Sequence, residues 1–141
     1  MEIHLGCGHL NDSDFVTAFE ACQLHHGAFH HADHIRLAWI YVTRDGANKA
    51  EAQLLAGIRK MALDAGAPQK FLYTATIAWT RLVAAAHQNG LNAQSFSEWI
   101  QQHPQLLDRD LLAKHYSPGR LETPEARSGW VEPDLAPLAN R

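Results

Sequence analysis

The chain has 141 residues, 46% of them hydrophobic, with a formal charge of −3 at neutral pH and a pI near 6.3. That length suits one domain with a sizeable core, and the apolar share argues against general disorder. The lack of a basic surplus argues against nucleic-acid binding, and no apolar run reaches the roughly 20 residues of a membrane span.

The start, Met1 to Gly6, lacks the positive segment and apolar stretch of a secretory signal, so a soluble, cytoplasmic protein is expected. Residues 1–10 read as irregular, broken by Gly6 and Gly8. Asn11-Asp12-Ser13 supplies side-chain oxygens for a helix N-cap. Phe15, Val16, Phe19 and Cys22 follow at helical spacing, with an end near Gln23 and Gly27 as the stop. Cys22 reads as a core residue on this helix, and Cys7 as a loop thiol. The two form no CxxC pair, and a reducing compartment keeps both as thiols.

A second helix is predicted from His31-Ala32-Asp33 to Asp45-Gly46. It is apolar on nearly all sides through Ile35, Leu37, Ala38, Trp39, Ile40 and Val42, and is therefore central. A third is expected over Ala47–Ala65, with Ala50, Leu54, Leu55, Ile58, Met61 and Ala62 on one face. Gly66-Ala67-Pro68 breaks it, and a fourth runs from Pro68 to His87, ended by Asn89-Gly90. A short fifth starts at Ser95 or Ser97 and closes at Pro104, and a short sixth covers Asp108 to His115. Thr123-Pro124-Glu125 opens one more helical turn. The expected fold class is all-α: one domain over residues 1–141, a bundle of four main helices plus short ones, with 128–141 an extended tail packed on the bundle through Trp130, Val131, Leu135 and Leu138.

Histidine is the unusual residue. There are ten, five of them within ten positions: His25, His26, His30, His31 and His34. His30 and His34 are four apart, and His31 and His34 three apart, so either pair shares a helix face and could converge on one ion. Neutral imidazole suits zinc, iron, nickel or copper, which makes His30, His31 and His34 candidate ligands of a divalent transition metal. No HExxH or CxxC completes the set, so further ligands would come from His26, Asp33, Tyr73, His115, His4, Cys7 or His9. The competing reading is a set of capping and packing histidines.

A second constellation is Tyr73, Thr76 and Thr80 along one face of the fourth helix. It would be either a polar pocket wall or hydroxyls bonded to the preceding turn. A third is Arg127, whose guanidinium fits a carboxylate: Glu132, Asp134 or an anionic ligand. The candidate ligand site is thus His31, His34, Tyr73, Thr76 and Arg127. His31 and His34 are suited to acid–base work near neutrality, but no catalytic residue is assigned. The partners expected are a small-molecule ligand or a second copy of the chain in a homodimer, with no nucleic acid and no membrane.

Phe29-x-His31-x-x-His34-x-Arg36-Leu37-Ala38-Trp39, Tyr73-x-x-Thr76-x-x-Trp79, Tyr116-Ser117, Glu125-Ala126-Arg127 and Val131-Glu132-Pro133-Asp134-Leu135 resemble an uncharacterised family of short bacterial all-helical proteins. The resemblance spans almost the whole chain and brings no activity with it. Relatives of that kind carry Tyr-His-Glu-Thr where this chain has Tyr73-Thr74-Ala75-Thr76. The resemblance implies a His/His/His/Glu metal site in them, built with the counterparts of His31 and His34. This chain lacks both partners at positions 74 and 75.

Overall fold

A computed structural model describes residues 10–24, 29–88 and 95–138. The expected stops at Gly27 and at Asn89-Gly90, together with His4, Cys7, His9, His25 and His26, lie outside them. The described residues are all-α, with no strand, and no helix is long and apolar enough to cross a membrane. The helices are α1 (Asp12–Glu20), α2 (His31–Asp45), α3 (Ala47–Asp64), α4 (Tyr73–Gln88), α5 (Phe96–Gln102) and α6 (Pro124–Ser128). Helices α2, α3 and α4 pack against one another and enclose the core, which includes Leu37, Ala38, Leu54, Ala78 and Val83.

The local chemistry explains the boundaries. Asn11 Oδ1 accepts the Asp14 amide and starts α1. That helix stops at Glu20, earlier than its apolar spacing predicts. The amides of Cys22 and Gln23 fold back onto the carbonyls of Phe19 and Ala18, and Cys22 takes a left-handed φ of 60°. Cys22 therefore sits half-buried in the closing turn instead of on the core face of a helix. Gly46, at φ 88°, separates α2 from α3 with no linker between them.

Pro68 does not open α4. It starts a 3-10 turn over Pro68–Lys70, and Phe71 then adopts extended backbone with ψ 122°, so α4 begins at Tyr73. The Phe71 ring is buried and lies beneath the Arg59 guanidinium, 4.9 Å from its centroid; this docking of Phe71 against α3 accompanies the break. Likewise Pro104 opens a 3-10 turn, Pro104–Leu107, directly after α5, and Leu111–Lys114 is a 3-10 turn instead of an α-helix. The Asp108 carboxylate accepts the Asp110 amide there, a local bond that competes with helix formation.

Residues 129–138 lie along the helices. Thr74, fully buried on α4, donates its hydroxyl to Gly129 O at 2.6 Å and accepts the Val131 amide at 3.1 Å. His115 Nδ1 donates to Ala136 O, and Tyr116 Oη to Val131 O. Trp130 rests against the Arg81 guanidinium at 4.3 Å, while Arg81 pairs with Glu51 of α3. Leu135 stays more than half exposed; its amide, not its side chain, is anchored, to His115 O. At the other end Arg36 joins α1 to α2, donating to Asp12 Oδ1 and Leu10 O and lying over the Phe15 ring at 4.4 Å.

Candidate functional site

The N-terminus of α2 faces an open cleft of about 910 Å³. One wall is the first turn of α2, with His30, His31, Ala32 and His34. The opposite wall is the last two turns of α3, with Ile58, Met61 and Ala62, and its C-cap residue Ala65. Trp79 of α4, and Leu107 with Arg109 from the loop after α5, complete it, and Lys70 stands on the 3-10 turn after α3. The apolar stripe of α3 therefore has two fates. Ala50 and Leu54 are sealed in the core, whereas Ile58 and Ala62 line the cleft and Met61 is buried at its border.

The first turn of α2 is held by a reciprocal cap. His30 is the N-cap residue, and its amide donates to Asp33 Oδ2 at 2.8 Å. Asp33 is thus committed to the helix terminus. His31 is half-buried, with its ring edge-on to the Trp79 ring at a centroid distance of 4.4 Å. Its Nε2 lies 2.9 Å from Leu106 O, and a carbonyl can only accept, so Nε2 carries the proton and Nδ1 is the acceptor of the neutral ring. Burial lowers the His31 pKa, and the Arg109 charge adds to this; the Leu106 bond and Asp108 oppose it.

His34 lies one turn further in. Part of the residue remains at the surface, but its Nε2 is sealed from solvent and has no hydrogen-bond partner among the described residues. Desolvation, reinforced by His31, pushes its pKa down to about 4. At neutral pH both rings are therefore uncharged. They are suited to hydrogen bonding or proton acceptance, not to anchoring an anion as imidazolium. The cleft's formal charges come from Lys70 and Arg109, and no carboxylate lines it among the described residues.

The structure gathers some of the sequence candidates and separates others. His30, His31 and His34 share the cleft. Tyr73 and Thr76 do not line it, and the Thr76 hydroxyl donates to Leu72 O in the preceding turn, as Thr80 does to Thr76 O. Arg127 is elsewhere too. It donates to Glu122 O and Gln69 O, tying α6 to the turn after α3, while Arg120 holds Glu132 O and approaches Asp134. His115 is bonded to the C-terminal segment. Among the described residues no three His, Cys, Asp or Glu side chains converge to hold a metal ion. At position 74, Thr74 points its hydroxyl to residues 129 and 131, so that position serves the C-terminal segment.

Lys70, Arg109 and the carbonyl of Leu106 were not apparent from the sequence, because each comes from a short connection with no periodic signal. No family model matches this chain, and no curated protein or solved structure is significantly similar to it.

Proposed function

We propose that this protein binds a small organic molecule in the cleft at the N-terminus of α2, with His31 and His34 as the polar groups that orient it. The observation that carries the reading is the cleft itself, with the His31 ring in its wall and Nδ1 left as an acceptor once Nε2 is committed to Leu106 O. The cleft holds about 910 Å³, ample for a metabolite-sized ligand. The mixed lining, with Phe29, Ile58, Met61 and Trp79 beside two imidazoles, fits a ligand with an apolar body and a few polar atoms. An organic ligand accounts for the geometry better than an ion does, since His31 Nε2 is engaged by Leu106 O and Asp33 by the helix cap.

The test is a fragment screen read on the ring resonances of His31 and His34, assigned through His31→Gln and His34→Gln variants. Binders should shift both rings saturably. Binders that leave both rings unmoved while occupying another surface would refute the reading.

A second reading has one observation in its favour. The Trp79 and Leu106 contacts of His31 are those of a structural histidine, as in a non-catalytic interaction protein acting as a homodimer. Light scattering across a concentration series tests it, and a strict monomer would count against it.

A further inference from the structure

An indole N–H in a largely buried ring ordinarily ends on a partner. Trp79 of α4 is only 7% exposed, yet its Nε1–H has no acceptor among the described residues and is not one of the side-chain atoms sealed from solvent. The part of this ring that water reaches therefore includes its polar edge, and the open space that Trp79 borders is the cleft. His31 stands beside it, with the ring centroids 4.4 Å apart. Its Nε2–H is committed to Leu106 O, so Nδ1 is left as a lone-pair acceptor. That nitrogen also has no partner among the described residues and is not sealed. Burial lowers the His31 pKa, so Nδ1 keeps its lone pair at neutral pH. Two adjoining rings in the cleft wall thus offer opposite polarities. The indole donates and cannot accept; the imidazole, held in this tautomer, accepts at Nδ1 and cannot donate there. Phe29, Ile58 and Ala62 supply apolar wall around them.

Resting on the binding reading above, we infer that the ligand meets this pair with an uncharged group that donates and accepts at once, a hydroxyl or a carboxamide, carried on an apolar body. Its O–H or N–H goes to His31 Nδ1, and its oxygen receives Trp79 Nε1–H. An ether or a tertiary amide would satisfy the indole and leave Nδ1 without a donor. A carboxylate would set its charge against the Nδ1 lone pair. Lys70 and Arg109 would attract it, but both are exposed, so water and salt screen them. An alkylammonium group would satisfy Nδ1, strand the indole and meet those two like charges. A polar atom left unpaired when the cleft closes over a ligand costs about tenfold in affinity or more.

Titration of the full chain with benzamide, N,N-dimethylbenzamide, benzyl alcohol, benzyl methyl ether and benzoate tests this. The readouts are the His31 ring resonance and the Trp79 indole N–H resonance, assigned with a Trp79→Phe variant. Benzamide or benzyl alcohol should move both saturably, and bind at least about tenfold more tightly than its methylated counterpart and than benzoate. The tighter of the two tells an amide ligand from an alcohol. Added methyl groups also take up room, so the same pairs are titrated against His31→Gln. Its side-chain amide can still donate to Leu106 O but places no acceptor where Nδ1 stood, and the preference should shrink to less than about threefold. If the methylated probes bind as tightly as their parents, if benzoate binds most tightly, or if the preference survives in His31→Gln, the donor–acceptor inference is overturned and the binding reading stands, because the cleft is still occupied. If no probe moves either resonance up to about 10 mM, the inference falls, and the fragment screen decides the binding reading separately.

Discussion

Acid should weaken this protein through His34, and the size of the effect follows from one ring. Unfolded, the imidazole has its ordinary pKa of 6.5; folded, burial holds it at about 4. At pH 5 the unfolded ring is then about 97% protonated and the folded one about 9%, so proton binding favours the unfolded chain by a factor of about 30, or about 2 kcal/mol. The sign is fixed by the direction of the shift. A depressed folded pKa leaves stability intact above pH 6.5 and removes it as pH falls toward 4, where the loss reaches about 3 kcal/mol. Urea unfolding of the protein and of a His34→Gln variant, from pH 7 to pH 4, isolates this ring. His103, also lowered by burial, titrates in both proteins and cancels to first order, and His31, whose charge acts on His34, is followed through its own ring resonance. The difference in stability between the two should shrink by about 2 kcal/mol from pH 7 to pH 5. Parallel curves, or a His34 ring resonance titrating near 6.5, would show that the ring is not enclosed.

Three further outcomes follow from the packing. A Cβ on Gly57 would lie 2.3 Å from two ring carbons of Phe19, which is 1% exposed and stacked 6.1 Å from Phe29. Gly57→Ala should therefore destabilise by about 1–3 kcal/mol despite the better helix propensity of alanine, with Phe19→Leu recovering part of the loss; a stabilised single variant would contradict the close approach. Thr74→Val keeps the volume but strands the Val131 amide and Gly129 carbonyl, a cost of about 1–3 kcal/mol, and hydrogen exchange should rise at 129–138 before it rises in α4; unchanged exchange there would dissociate Thr74 from anchoring that segment. Arg36→Met removes the bonds to Asp12 and Leu10. It should release α1 selectively, seen as protease cleavage near residues 10–24 while α2 to α4 stay protected, at a cost of about 1–2 kcal/mol; protection of α1 equal to that of the parent would refute the clamp.

The sequence by itself determined what depends on near neighbours. Apolar periodicity and caps placed α2 between His31 and Asp45, ended α3 near Gly66 and marked Thr123 as the N-cap of α6, because such signals act within a turn or two of chain. Local signals also misled where two local options were close in energy. Pro68 can open an α-helix or a 3-10 turn, and here the turn forms with Phe71 buried behind it; the spacing of Cys22 suited a helix that had already closed at Glu20. The all-α class and the presence of His30, His31 and His34 at one helix start were therefore legible from the chain. The environment of those histidines was decided only by the tertiary structure. Leu106 O, Trp79, Arg109 and Lys70 reach the α2 terminus from far along the chain, burial there lowers the pKa of both His31 and His34, and other tertiary contacts draw Arg127 to the carbonyls of Glu122 and Gln69 and leave Ile58 and Ala62 of α3 along the wall of a cleft.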